Sequence, residues 1–141
     1  MQRNKYLDDL GIDIKEYGGN YIYKEETESD RRKLFEQQRK DYGFDSRETW
    51  DLTYYFAEWL YSHLMMYKEF ASEIVNLKYY KFDWQGKEIT QIEAIDILIE
   101  TSKGYLLMDE LKMSDKEIVR IREDFYKSME LWGEILHYMW W

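Results

Sequence analysis

Three times in this chain a short polar side chain stands three residues ahead of a glutamate, at the head of a run with helical apolar spacing. The pairs are Asp45/Glu48, Thr90/Glu93 and Ser114/Glu117. Such a capping box satisfies two orphan backbone donors at a helix start, so helices are predicted to begin near residues 46, 91 and 115. In the first, Phe56, Leu60, His63, Tyr67, Phe70 and Ile74 share one face, and Leu52, Trp59 and Met66 lie on a neighbouring one. A helix apolar over so much of its circumference is expected to be central, and the pattern carries it to about Asn76. The second runs through Ile92, Ile95, Leu98 and Ile99, with Gly104 as a predicted end or kink before Tyr105-Leu106-Leu107-Met108. The third shows Ile118, Ile121, Phe125, Met129, Trp132, Leu136 and Met139 on one stripe.

Between the first two, Tyr80-Lys81-Phe82-Asp83-Trp84 alternates, Gln85-Gly86 can turn, and Lys87-Glu88-Ile89 returns. That is the signature of a short β-hairpin. Upstream, Ser29 is a predicted cap for a polar helix from Asp30 to Tyr42, stopped by Gly43. Its Arg31, Arg32, Lys33, Arg39 and Lys40 make it the basic element of the chain, read as a solvated face. Residues 1–28 are the least regular. Ile12 and Ile14 alternate with polar residues, and Gly18-Gly19-Asn20 offers a turn, so a second hairpin is conceivable there. The sum is a mainly α fold: one compact domain over residues 1–141, with a less regular segment (1–28) and a helical core (29–141) of three to four helices carrying an inserted β-hairpin.

The sequence closes on Met139-Trp140-Trp141. Chain termini are commonly polar and frayed, so this aromatic ending predicts a segment that docks into a core or onto a partner. Aromatics make up 18% of the 141 residues, fourteen of them Tyr and six Trp, and these side chains anchor interfaces as readily as cores. A net charge of −9 disfavours direct nucleic-acid binding, which rests on neutralising phosphates. It suits a solvated acidic surface, a basic partner, or mimicry of nucleic acid. Without cysteine, a disulfide framework, a thiolate zinc site and a cysteine nucleophile are excluded. The first residues lead into no apolar run, so no secretory signal is expected, and no run reaches the ~20 residues of a membrane span.

Few residues are arranged for catalysis. His63 and His137 lack H-x-x-H or H-E-x-x-H spacing and read as packed, hydrogen-bonded side chains. No nucleophile elbow, P-loop or dinucleotide fingerprint is present. Glu93 and Asp96 form an E-x-x-D pair on a helix. In MazG-like nucleotide pyrophosphatases such carboxylates hold magnesium against a phosphate, but the long helix lacks the matching E-x-x-E, offering Glu58, Glu69 and Glu73 at other spacings, and Glu93 already serves the capping box. Met65-Met66 with Trp59, Tyr61 and Tyr67 could line an adaptable groove, although core packing explains the same spacing more simply. Tyr54-Tyr55, Tyr61 and Tyr79-Tyr80 fall on several faces, so some aromatic surface is expected to meet a partner or a second copy.

One further signal is a resemblance. Tyr42-Gly43-Phe44-Asp45-Ser46-Arg47-Glu48-Thr49-Trp50, Phe56-Ala57-Glu58-Trp59-Leu60-Tyr61, Met66-Tyr67-Lys68-Glu69, Lys81–Glu88 and the final Met139-Trp140-Trp141 are similar to a group of small proteins of tailed phages and prophages of Gram-positive bacteria. The likeness covers roughly residues 40–141. It transfers no catalytic residue; what it implies is a setting, the cytoplasm of a bacterial host.

The expectation is a non-enzymatic phage protein that binds a host protein, with inhibition of a bacterial defence system as one such role. No cofactor is expected, nor nucleic acid or membrane as a direct partner, and self-association is a further option. Exposed acids and tyrosines beside the apolar stripes are the expected partner-binding residues: Tyr54, Tyr61, Asp83, Asp109 and Glu110. The alternatives are a magnesium-dependent nucleotide hydrolase using Glu93 and Asp96, and a virion or assembly component.

Overall fold

The computed structural model describes residues 4–11, 27–108 and 111–141. The fold is mainly helical with an inserted antiparallel hairpin, as the sequence predicts. The helices are α1 (Lys5–Asp9), α2 (Glu28–Tyr42), α3 (Leu52–Ala71), α4 (Gln91–Leu107) and α5 (Asp115–Ile135). Short 3-10 turns occupy Ser46–Thr49 and Leu136–Tyr138, and the strands are β1 (Lys81–Trp84) and β2 (Lys87–Thr90). The conceivable N-terminal hairpin lies outside the described residues. Among the described residues no helix is long and apolar enough to cross a membrane. The chain divides into two compact units, Met1–Phe56 and Ala57–Trp141, with the division inside α3.

In the first unit, α1 is capped by Asn4, whose Oδ1 accepts the Leu7 amide. The cap of α2 is Thr27 rather than Ser29. The Thr27 hydroxyl accepts the Asp30 amide and donates to the Asp30 carboxylate, so the helix starts two residues earlier than its sequence pattern indicates. Gly43 stops it at φ +83°, a left-handed conformation that glycine adopts without a Cβ clash.

The predicted capping box at Asp45/Glu48 does not form. Asp45 instead caps the 3-10 turn, accepting the Arg47 amide at 3.1 Å, and its carboxylate takes the Arg47 guanidinium at 3.0 and 2.9 Å. Arg39 reaches across from α2 to bridge Asp45 and Glu48, each at 2.7 Å. Glu48 thus turns to a guanidinium, a stronger partner for a carboxylate than a backbone amide. The following helix therefore starts at Leu52, with Asp51 Oδ1 accepting the Tyr54 amide at 3.0 Å. The Arg47 guanidinium also lies 4.3 Å over the Phe35 ring. Burial would push the Asp45 carboxyl up; the hydrogen bonds and charge of Arg47, with the charge of Arg39, outweigh it and hold the group below its ordinary value.

In the second unit, α3 ends at Ala71, short of Asn76, in tight turns that include an Ile74 amide bonded to the Ala71 carbonyl. β1 and β2 pair with Trp84 opposite Lys87, closed by Gln85 and Gly86 at φ +54° and +77°. Those positive angles are what a two-residue hairpin turn requires, and Asp83 Oδ1 accepts the Gly86 amide to hold it. The two remaining capping boxes are complete: Thr90 and Glu93 open α4, and Ser114 and Glu117 open α5. Gly104 does not end α4, which continues to Leu107.

The core of this unit joins α4 and α5. Ala94, Ile95, Leu98, Ile99, Tyr105 and Leu106 are buried from one side, and Phe125, Leu131 and Ile135 from the other. Tyr105 packs on Phe125 with ring centroids 4.7 Å apart. Ser128 fits into the seam, its hydroxyl 2.9 Å from that of Thr101, so the seam combines small polar contacts with the apolar burial that supplies most of the stability. The buried stripe of α5 is therefore Phe125, Ser128, Leu131 and Ile135, rotated from the predicted one; Ile121, Met129 and Trp132 are half-buried and Leu136 is exposed.

Candidate functional site

α3 also buries a face other than the predicted one. Its buried residues are Tyr54, Ala57, Glu58, Leu60, Tyr61, Ser62, Leu64 and Ala71, whereas Trp59, Met66 and Phe70 are 44–52% exposed. Trp59, Met66 and Phe70 are thus turned away from the core, while Leu60, Tyr61 and Leu64 share the covered face with the small Ala57 and Ala71. Core packing was the simpler expectation for Trp59 and Met66; they line an open groove instead.

The groove encloses about 520 Å³. One wall is α3, through Trp59, His63, Met66, Tyr67 and Phe70; the other is Trp132, Leu136, Met139 and Trp141; Leu60 and Leu64 form its floor. A site of this size and lining falls in the range of about 300–1,000 Å³ typical of binding pockets. Trp59 and Trp132 meet edge to face at 6.4 Å, bridging the walls. His63 stacks on Trp59 with centroids 4.2 Å apart. Its Nδ1 lies 2.7 Å from the Trp59 carbonyl, so this nitrogen carries the proton and donates. His63 is hydrogen-bonded as expected but exposed, and the second histidine, His137, is exposed too.

The second wall is pinned by its own aromatic segment. The Tyr67 hydroxyl donates to the Trp140 carbonyl at 3.2 Å, and Trp141 stacks against Phe70 at 6.3 Å. Gln91 Nε2 donates to the Tyr138 carbonyl at 3.1 Å, and the Tyr138 ring sits 4.6 Å from that of Tyr80 and 5.4 Å from that of Phe82. Burial pushes the Tyr67 hydroxyl above its ordinary pKa, against the opposing hydrogen bond of Gln91, so it stays a neutral donor at physiological pH. The closing aromatic segment does dock, as its composition predicts, yet it leaves Trp140 and Trp141 about 60% exposed.

Of the residues singled out for partner binding, the described ones, Tyr54, Tyr61 and Asp83, do not line the groove. Tyr54 and Tyr61 are 7% and 5% exposed, which corrects the expectation of exposed tyrosines: on this helix the face beside the large apolar stripe is the covered one. Asp83 is exposed but serves the hairpin turn. Asp109 and Glu110 lie outside the described residues. Glu93 and Asp96 both have other partners: Glu93 accepts the Thr90 amide, and Asp96 pairs with Lys68 at 2.5 Å. Among the described residues no three His, Asp or Glu side chains form a metal-binding group.

Comparison with protein-family models, with curated proteins and with solved structures finds no match. The groove is therefore read on its own chemistry, which offers shape and apolar surface, with adaptable Met66 and Met139 among rigid rings.

Proposed function

We propose that this chain is a non-enzymatic binding protein that engages another protein through the groove between α3 and the Trp132–Trp141 segment. The observation that carries the reading is the exposure of Trp59, Met66, Phe70, Leu136 and Trp141, each 44–59%, around one concavity. Contiguous exposed apolar surface is uncommon on a protein that acts alone and marks an interaction site. Tryptophan is also the side chain most enriched among residues that dominate binding energy. The resemblance to phage proteins supports a host protein as the partner, an inhibited defence factor being one form of that role.

The test compares host proteins captured by the wild-type chain and by a Met66→Asp/Leu136→Asp variant. Both positions are about half exposed, so the variant keeps its core. A host protein held by the wild type and lost with the variant is the expected result. Recovery of the same proteins by both, or magnesium-dependent nucleotide turnover abolished by Glu93→Ala, would overturn the proposal.

A further inference from the structure

The α3 wall of the groove is symmetric along its length. Trp59, His63, Met66 and Phe70 are spaced by four, three and four, all four are exposed, and all four line the groove. That is the a/d spacing by which one helix pairs with another, and it reads the same in both directions. Laid antiparallel on a copy of itself, the seam sets Trp59 opposite Phe70 of the second copy and His63 opposite Met66 of the second copy. Each contact is then made twice about a two-fold axis, the commonest form of self-association. The exposed area is sufficient for it. Trp59, Met66, Phe70, Leu136 and Trp141, with Trp140 beside them, are 44–63% exposed. At ~200 Å² for a large side chain, six half-exposed ones present about 600 Å² per chain. Two chains then bury about 1,200 Å², the lower end of the range for a specific interface.

Charge permits the pairing as well. The lining contains no Asp, Glu, Lys or Arg, so the seam presses no like charges together. Lys68 is paired with Asp96 within the fold. Glu69 is the nearest exposed acid on α3. Glu69 of the second copy falls opposite Leu60, nine positions away along the helix, or about 13 Å at ~1.5 Å per residue. That exceeds the screening length of about 8 Å in physiological salt. We infer that a second copy of this chain covers the groove when no other protein does, in a weak antiparallel two-fold dimer through α3 and the Trp132–Trp141 segment. The dimer rests on the reading of the groove as a binding surface and adds its regulation. Another protein competes with the second copy for the same seam, and meets an open groove at concentrations where the chain is monomeric.

The experiment is sedimentation velocity on the full chain from about 1 μM to about 500 μM, the range of weak interfaces, at about 50 and about 500 mM salt. A shift from monomer to dimer with concentration is expected. It should tighten at least about threefold at the higher salt, because two chains of −9 repel and the seam itself is uncharged. Met66→Asp/Leu136→Asp, folded by circular dichroism, should weaken the dimer at least about tenfold. Val119→Asp, at a site 51% exposed and outside the groove lining, should leave it unchanged. Register is read separately by oxidation, since the chain has no cysteine of its own. His63→Cys and Met66→Cys chains, mixed, should cross-link severalfold faster than either alone, because the antiparallel seam sets these positions face to face. A wild-type chain that stays monomeric throughout would overturn the dimer, and host-protein capture by that monomer would leave the groove's binding role standing. A dimer that survives Met66→Asp/Leu136→Asp, one that dissociates as salt rises, or faster cross-linking of either single variant would also overturn it.

Discussion

Replacing Asp45 by Asn tests whether the turn at residues 43–49 is held by its ion cluster. The Asp45 side chain is fully buried and accepts from the Arg47 amide, from two Arg47 guanidinium nitrogens and from Arg39. Removing one partner from a buried ion pair costs about 3–5 kcal/mol, because the opposite charge is left uncompensated. Two features reduce that figure here. The Arg39 and Arg47 side chains are 29% and 23% exposed, so water reaches them, and Arg39 keeps Glu48 at 2.7 Å. The expected loss is about 2–3 kcal/mol. For a chain of this size each kcal/mol is worth about 3–5 °C, so the melting temperature should fall by about 6–15 °C. Thermal unfolding followed by circular dichroism reads this directly. Asp45→Ala should match Asp45→Asn, since the charge matters more than the remaining acceptor. A shift below about 1 °C would refute the account of the turn and return Asp45 to an ordinary helix cap.

Other outcomes follow from the same geometry. Because the Asp45 carboxyl sits below its ordinary value in the fold, its contribution is present above the unfolded pKa of about 4 and is lost as pH falls through the lower folded value; acid unfolding should be less steep in Asp45→Asn. Leu131→Ala, at a fully buried site, should cost about 2–5 kcal/mol in urea unfolding, whereas Leu136→Ala, at a site 52% exposed, should cost under about 1 kcal/mol while weakening partner binding. Trp132→Ala falls between these, since its ring is half-buried and braces Trp59; both melting temperature and partner affinity should drop. Glu93→Ala should lower the melting temperature slightly through the lost α4 cap and leave partner affinity unchanged in a titration.

What the sequence made legible was local. Thr90/Glu93 and Ser114/Glu117 open their helices because both halves of each box lie within one turn. Asp45/Glu48 has the same spacing, but a guanidinium six residues before Asp45 competes for both carboxylates, and spacing carries no record of that competition. The mainly α fold and the Gln85-Gly86 turn were readable for the same local reason. The groove was half legible. Trp59, Met66 and Tyr67 stood out as a potential lining, yet periodicity identifies a face without saying what covers it. Tyr54 and Tyr61 are covered and Phe70 is open, the reverse of a ranking by hydrophobicity. Ala57 and Ala71 were the available signal, since small side chains mark where another element comes close.

Oxidative footprinting of the complex tests the groove most directly. Met66, Trp59 and Trp141 line it, while Trp50, equally exposed at 50%, lies outside its lining and serves as the internal reference. With the captured host protein bound, labelling of Met66, Trp59 and Trp141 should fall severalfold and that of Trp50 should hold. Unchanged labelling of the three groove residues in a saturated complex, or protection confined to Trp50, would contradict the claim that this groove is where the protein binds.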